Sequence, residues 1–194
     1  SSDNVRWYRE YIHKWAEKDK VDVVTGDGGL EITASTKDLQ RLDYAQFLLA
    51  AATNSIGGSC IIKTFTPFLG SKPETRKASG FFVGLTFLYS LLYRNVYLTK
   101  PYTSRPTSGE YYVVGKGFVG LSDNALDKLL KILDNFTENQ TFFNKGDIPD
   151  RFIMQTVKFI EQMADLNIRS IERQMFFVSC SNDKDKIISN KTNC

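Results

Sequence analysis

The residues best suited to chemistry in this sequence stand at the ends of short apolar segments. Asp27 and Lys63 each follow a run typical of a buried strand, and Glu110 immediately precedes a third such run. Ligands of open α/β sheets bind at the carboxyl ends of the strands. A lysine at the end of an apolar strand is desolvated, which favours its neutral, basic form. The pattern therefore predicts a catalytic site.

Each of these residues also has an ordinary structural interpretation. Asp27 lies among glycines and would suit a turn. Lys63 could extend its ammonium group from a sheet edge into water, and Glu110 could be a surface residue. These ordinary interpretations would have to hold at all three strand ends at once. One shared site explains all three positions together.

A loop rich in basic and hydroxyl side chains leads into the third apolar run. It extends from Lys100 to Glu110 and contains two prolines, Ser104, Arg105 and Ser108. This composition is unusual for a loop that serves stability alone.

The composition is that of one ordinary globular domain or part of a larger protein. The chain has 194 residues, of which 42% are hydrophobic and 24% charged. A net charge of +3 permits a nucleic-acid partner without implying one. The three cysteines show no motif spacing, which predicts a reducing, intracellular compartment and no disulfide framework. No metal-binding spacing of His and Cys is present, and no apolar run approaches the roughly 20 residues needed to span a membrane.

The apolar periodicity alternates between that of helices and that of strands. Helices are predicted at 7–15, 37–54, 80–93, 124–136 and 152–177, and strands at 21–25, 59–64, 95–99 and 110–114. This order predicts an α/β fold, a parallel sheet with helices on both faces. Because only about ten residues join the last two strands, that pair is predicted to be antiparallel.

The chain is predicted to divide into three parts. Residues 1–120 form the sheet domain, 121–180 a helical extension, and 181–194 a polar, lysine-rich flexible tail. Gly57 and Gly58 are predicted to stop the second helix before the next strand begins.

Three motifs resemble those of the FtsJ-type ribose 2′-O-methyltransferases, in the same order and approximate spacing. They are Asp27-Gly28-Gly29, the run from Gly57 to Phe65, and the run from Lys100 to Glu110. Within the family the resemblance is closest to cap-specific mRNA enzymes of eukaryotes and large DNA viruses. It covers roughly residues 3–118 and implies a Rossmann-like fold with S-adenosylmethionine as cofactor.

The resemblance also implies roles for individual residues. The family surrounds the ribose 2′-hydroxyl with two lysines and two carboxylates, and Lys63 matches the lysine that acts as the base. Asp27 and Glu110 match the carboxylates, and Asp27 also matches a cofactor contact. The implied partner is capped RNA, methylated on its first transcribed nucleotide.

Further positions are predicted to contact RNA on the same ground. Ser108, Arg105 and Lys100, together with Ser104, follow the family's RNA-binding loop, and weaker candidates are Asp38 and Gln40. The segment 68–79 resembles an insertion near the mouth of the site. Its basic residues Lys72, Arg76 and Lys77 either contact phosphates or are merely solvated.

The family's other lysine and its glycine-rich cofactor loop precede all of these motifs. We therefore expect this sequence to be the C-terminal portion of a longer protein. A degenerate domain that binds RNA without cofactor, and a site completed by a second polypeptide, remain open. So does a methyltransferase of ribosomal or other structured RNA.

Overall fold

The computed structural model describes residues 1–15, 20–31, 33–65, 68–69, 77–144 and 146–191. In chain order the elements are α1 (Ser2–Trp15), β1 (Val21–Gly26), α2 (Thr36–Thr53), β2 (Asn54–Thr64), β3 (Phe68–Leu69), β4 (Lys77–Ala78), α3 (Gly80–Leu92), β5 (Tyr93–Thr99), β6 (Tyr111–Phe118), α4 (Asp123–Asp134) and α5 (Asp150–Lys191). β3 and β4 form a short antiparallel pair. Lys72 and Arg76, predicted above as phosphate contacts, lie outside the described residues, and so does the side chain of Lys77.

The main sheet has four strands in the order β1-β2-β6-β5. β1 and β2 are parallel, whereas β6 is antiparallel to both of its neighbours. The α/β class and the antiparallel pairing of the last two strands are confirmed, and the sheet is mixed rather than parallel throughout. β6 consequently begins at the edge of the sheet where β1, β2 and β5 end.

The core lies between the sheet and helices α2, α3 and α4. Along α2, Tyr44, Phe47, Leu48 and Ala51 recur at helical spacing, and each is buried. The ring of Phe47 meets that of Tyr89 on α3 edge to face, with centroids 4.7 Å apart. The same core cluster includes Cys60 and Ile62 of β2. Burial of this stripe fixes the rotation of α2, and with it the direction of every polar side chain on that helix.

The opposite face of the sheet carries exposed apolar side chains. Val23 is 58% exposed, Ile61 40% and Tyr97 53%. β1 is an edge strand, and among the described residues no strand pairs with its outer side. In the described part of the chain, no helix combines the length and apolar character needed to cross a membrane.

The boundary between α2 and β2 differs from the prediction. Gly57 and Gly58 lie within β2 and do not stop the helix, which ends at Thr53. The side chain of Asn54 donates to the carbonyl oxygens of Val21 and Ser59, at 3.2 and 3.1 Å. These bonds draw the chain into the sheet directly after the last helical residue. The bulge that follows has a positive φ of 85° at Gly57, which glycine adopts without steric cost.

The predicted division near residue 120 stays a prediction. α4 lies beyond that boundary, yet Leu126, Leu130 and Leu133 belong to the same core cluster as α2. α4 also holds α1, because Asp134 accepts a hydrogen bond of 2.7 Å from the hydroxyl of Ser2.

Candidate active site

Asp27, Lys63 and Glu110 meet at one edge of the sheet because of the directions of their strands. Asp27 directly follows β1, and Lys63 lies one residue before the end of the parallel strand β2. Glu110 directly precedes β6, which runs the other way. In the register of β2 and β6, Lys63 faces Tyr112. The topology thus places all three predicted catalytic residues at the same end of the sheet.

Asp27 and Lys63 form an ion pair between a carboxylate oxygen and Nζ. The side chain of Lys63 is only 14% exposed, whereas that of Asp27 is 81% exposed. The lysine Nζ also lies 5.3 Å from the centroid of the Phe65 ring, within the range of a cation–π contact. The amine is therefore largely shielded from water, and its carboxylate partner remains open to a ligand.

Tyr112 joins Glu110 to this pair, although no sequence motif predicted it. Its hydroxyl donates a hydrogen bond of 2.8 Å to Glu110 Oε1. That bond raises the pKa of Tyr112, with burial and the negative charges of Glu110 and Asp27 acting in the same direction. The signal available in the sequence was spacing, because residues two apart on a strand point to the same face.

Gln46 connects the Asp27 turn to the end of β2. Its Oε1 accepts a hydrogen bond of 2.8 Å from the backbone N–H of Gly28, and its Nε2 donates to the carbonyl oxygen of Lys63 at 3.3 Å. The side chain is buried, so both bonds are protected from competition with water. No pattern in the sequence indicated this bridging position of Gln46.

The loop before Glu110 is folded around Lys100. The Lys100 ammonium donates to Ser104 Oγ at 3.3 Å and to the carbonyl oxygens of Ser108 and Glu110 at 2.7 and 2.9 Å. Ser108 Oγ in turn accepts from the backbone N–H of Glu110 at 3.2 Å. Burial lowers the pKa of Lys100, and the negative charge of Glu110 opposes that shift. Lys100, Ser104 and Ser108 therefore hold the backbone of Glu110, while their predicted contact with RNA stays a prediction.

The remaining predicted RNA contacts differ in their accessibility. Arg105 and Asp38 are exposed. The backbone N–H of Asp38 donates to Ser35 Oγ at 3.1 Å, which caps the first turn of α2. Gln40 is not exposed at all, and its side-chain amide exchanges two hydrogen bonds with Asn139, of 3.1 and 2.7 Å. A side chain enclosed in this way does not face the surface in this structure, and the predicted RNA contact of Gln40 stays a prediction.

The turn at Asp27 fits one part of a cofactor site. The Asp27 carboxylate is exposed, and a Cβ placed on the neighbouring Gly29 would meet nothing within 4 Å. A cationic or hydroxyl-bearing ligand can therefore approach both the carboxylate and the backbone. Among the described residues, no group of three or more His, Cys, Asp or Glu side chains is placed to hold a metal ion.

Comparison with known proteins identifies relatives of the chain. Cap-specific mRNA (nucleoside-2′-O-)-methyltransferase 1 of Homo sapiens is 30% identical over 175 residues, covering 88% of this chain and 19% of its own length. An uncharacterized protein of Acanthamoeba polyphaga mimivirus is 25% identical over 162 residues, covering 81% of this chain and 19% of its own length. The chain thus spans about a fifth of the length of these two curated relatives.

A solved ribosomal RNA methyltransferase of Plasmodium falciparum aligns with 58% of this chain and 54% of its own, at 22% identity and a TM-score of 0.37. That score is too low to support an argument. The model of the FtsJ-like methyltransferase family matches residues 4–118, more than half of the chain. The match includes Asp27, Lys63 and Glu110, which the fold brings to one sheet edge, and the chain belongs to the FtsJ-like methyltransferases.

Proposed function

We propose that this chain carries the catalytic edge of an S-adenosylmethionine-dependent enzyme that methylates the ribose 2′-hydroxyl of the first transcribed nucleotide of capped RNA. The observation that carries the proposal is the shielded Lys63, ion-paired with Asp27 and facing the Tyr112–Glu110 pair across the sheet. Membership of the FtsJ-like family supports methyl transfer. The name of the human relative supports capped mRNA as the substrate.

Lys63 acts as the general base in this proposal. The 2′-oxygen must be aligned for in-line displacement and must lose its proton, and a lysine Nζ beside it can accept that proton. The ammonium formed in this way is stabilised by the Asp27 carboxylate with which Lys63 is paired. The low exposure of the Lys63 side chain limits competition from water.

Asp27 and Glu110 orient the reacting groups. Glu110 is fixed from two sides, by the Tyr112 hydroxyl on its carboxylate and by Lys100 on its carbonyl oxygen. Its second carboxylate oxygen can accept a hydrogen bond from the ribose. Asp27 would hold the cofactor, which supplies the methyl group and a sulfonium charge when bound.

The direct test is methylation of defined RNAs by the full-length protein. We expect label from S-adenosylmethionine to appear on the first transcribed nucleotide of a capped RNA, identified by nuclease digestion and mass spectrometry. A capped RNA with a 2′-deoxy first nucleotide should accept no label, because it lacks the nucleophile. Equal labelling of uncapped, structured RNA would contradict the cap-specific proposal.

Gly28→Ala tests whether the Asp27 turn must keep its position. A Cβ at Gly28 would lie 2.8 Å from Gln46 Oε1 and 3.0 Å from Leu42 Cδ1, too close without movement. Because a misplacement of ~1 Å can cost ~10²-fold in rate, we expect the methyl-transfer rate to fall at least ~10-fold. Gly80→Ala is the matched control and should keep its rate, since Gly80 begins α3 and nothing lies within 4 Å of its Cβ. Equal rates for the two variants would show that the contact with Gln46 does not position Asp27.

A further inference from the structure

A cleft of about 460 Å³ lies between the end of β5, the loop that follows it, and α5. Most of its lining is apolar, from Leu98, Pro101, Pro106, Phe159, Met163 and Leu166. The polar residues of its lining are Thr99, Lys100 and Ser104, and the described lining contains no carboxylate. A mainly apolar cleft with a few polar groups is typical of a small-ligand site.

The cleft adjoins the candidate active site. Lys100 forms part of its wall, and its Nζ is bonded to the carbonyl oxygen of Glu110 at 2.9 Å. On the other wall, the ring of Phe159 packs edge to face on that of Tyr111, with centroids 6.0 Å apart. Tyr111 directly follows Glu110 in the chain. A polymer held with one ribose at Glu110 would therefore pass beside this cleft.

Tyr102 stands at the cleft fully exposed. Its loop is nonetheless ordered by two turns, in which the N–H of Ser104 donates to the carbonyl of Pro101 at 3.0 Å and that of Ser108 to the carbonyl of Arg105 at 2.9 Å. An aromatic ring on an ordered loop offers a flat surface at little cost in entropy. Unpaired RNA bases stack on such rings.

We propose that this cleft binds a nucleobase of the RNA adjacent to the methylated nucleotide, with Tyr102 stacked on the base. The apolar lining suits the faces of a base, and the hydroxyls of Thr99 and Ser104 can bond its edge. Lys100 and the nearby exposed Arg105 make the surroundings of the cleft positive, and its described lining has no carboxylate. This charge favours a phosphate-bearing ligand over an apolar peptide. The inference rests on the proposed function, because that function places a ribose at Lys63 and Glu110.

Tyr102→Ala in the full-length protein provides the test, read out by fluorescence anisotropy with labelled capped RNAs. Stacking on an aromatic ring is worth ~1–3 kcal/mol per base, so binding of a capped pentanucleotide should weaken about 5-fold to 150-fold. Binding of a capped single nucleotide should not change, since it has no neighbouring base. Tyr102→Phe should bind the pentanucleotide like the wild type, because the ring remains.

A second substitution tests the α5 side of the cleft. Met163→Trp should fill it and weaken pentanucleotide binding, whereas Met175→Trp, at a position 67% exposed on the same helix, should not. Thermal melting followed by circular dichroism verifies that both variants are folded.

Unchanged binding in Tyr102→Ala and Met163→Trp, or equal weakening for the short and long RNAs, would overturn the proposal. RNA binding is measured apart from methyl transfer, so the two proposals can fail separately. A wild-type protein that binds RNA but does not methylate it would contradict the proposed function, and the binding data would still test the cleft.

Discussion

Lys63→Ala should lower the single-turnover rate of methyl transfer by about 10²–10⁴-fold, the range typical of losing a general base. The rate of transfer from labelled S-adenosylmethionine to capped RNA measures the effect in the full-length protein. The loss should fall on the chemical step, because the proton of the 2′-hydroxyl then has no acceptor beside it. We expect affinity for the cofactor to remain close to that of the wild type.

Lys116→Ala is the matched control for this experiment. Lys116 lies on β6 opposite Ser59, is exposed, and stands far along the strand from the candidate site. Its removal changes the net charge by the same amount without touching the reacting groups, so its rate should equal that of the wild type. More than about a tenth of the wild-type rate in Lys63→Ala would contradict general-base catalysis by this residue.

Phe47→Ala should destabilise the fold by about 3–5 kcal/mol, the usual cost of removing a buried phenylalanine. Phe47 has no exposed surface and packs against the rings of Tyr44 and Tyr89, so its loss leaves a cavity. Since whole domains are stable by only ~5–15 kcal/mol, this is a large fraction of the total. Urea unfolding followed by circular dichroism measures the change in the free energy of unfolding.

Leu91→Ala provides the comparison, because that leucine is 52% exposed on α3. We expect its effect to stay within about 0.5 kcal/mol, as for ordinary surface substitutions. A Phe47→Ala protein as stable as the wild type would show that α2 is not fixed by this core.

The sequence was sufficient for those features that depend on local pattern. The apolar periodicity predicted a helix over residues 37–54, and the structure has α2 at Thr36–Thr53. The alternation of helices and strands predicted the α/β class. The short connection between β5 and β6 predicted their antiparallel pairing, because a parallel crossover requires more chain. The motifs at Asp27, Lys63 and Glu110 were sufficient to predict the family, which the match over residues 4–118 confirms.

Only the tertiary structure decided which side chains meet. The bonds between Gln40 and Asn139 join residues 99 positions apart, and no local pattern could show that they enclose Gln40. The bridge made by Gln46 depends on the rotation of α2 against the sheet, and the position of Tyr112 depends on the register of β6 against β2. Helical and strand periodicities report which face of an element is buried, but contacts between distant elements are set by how those faces pack together.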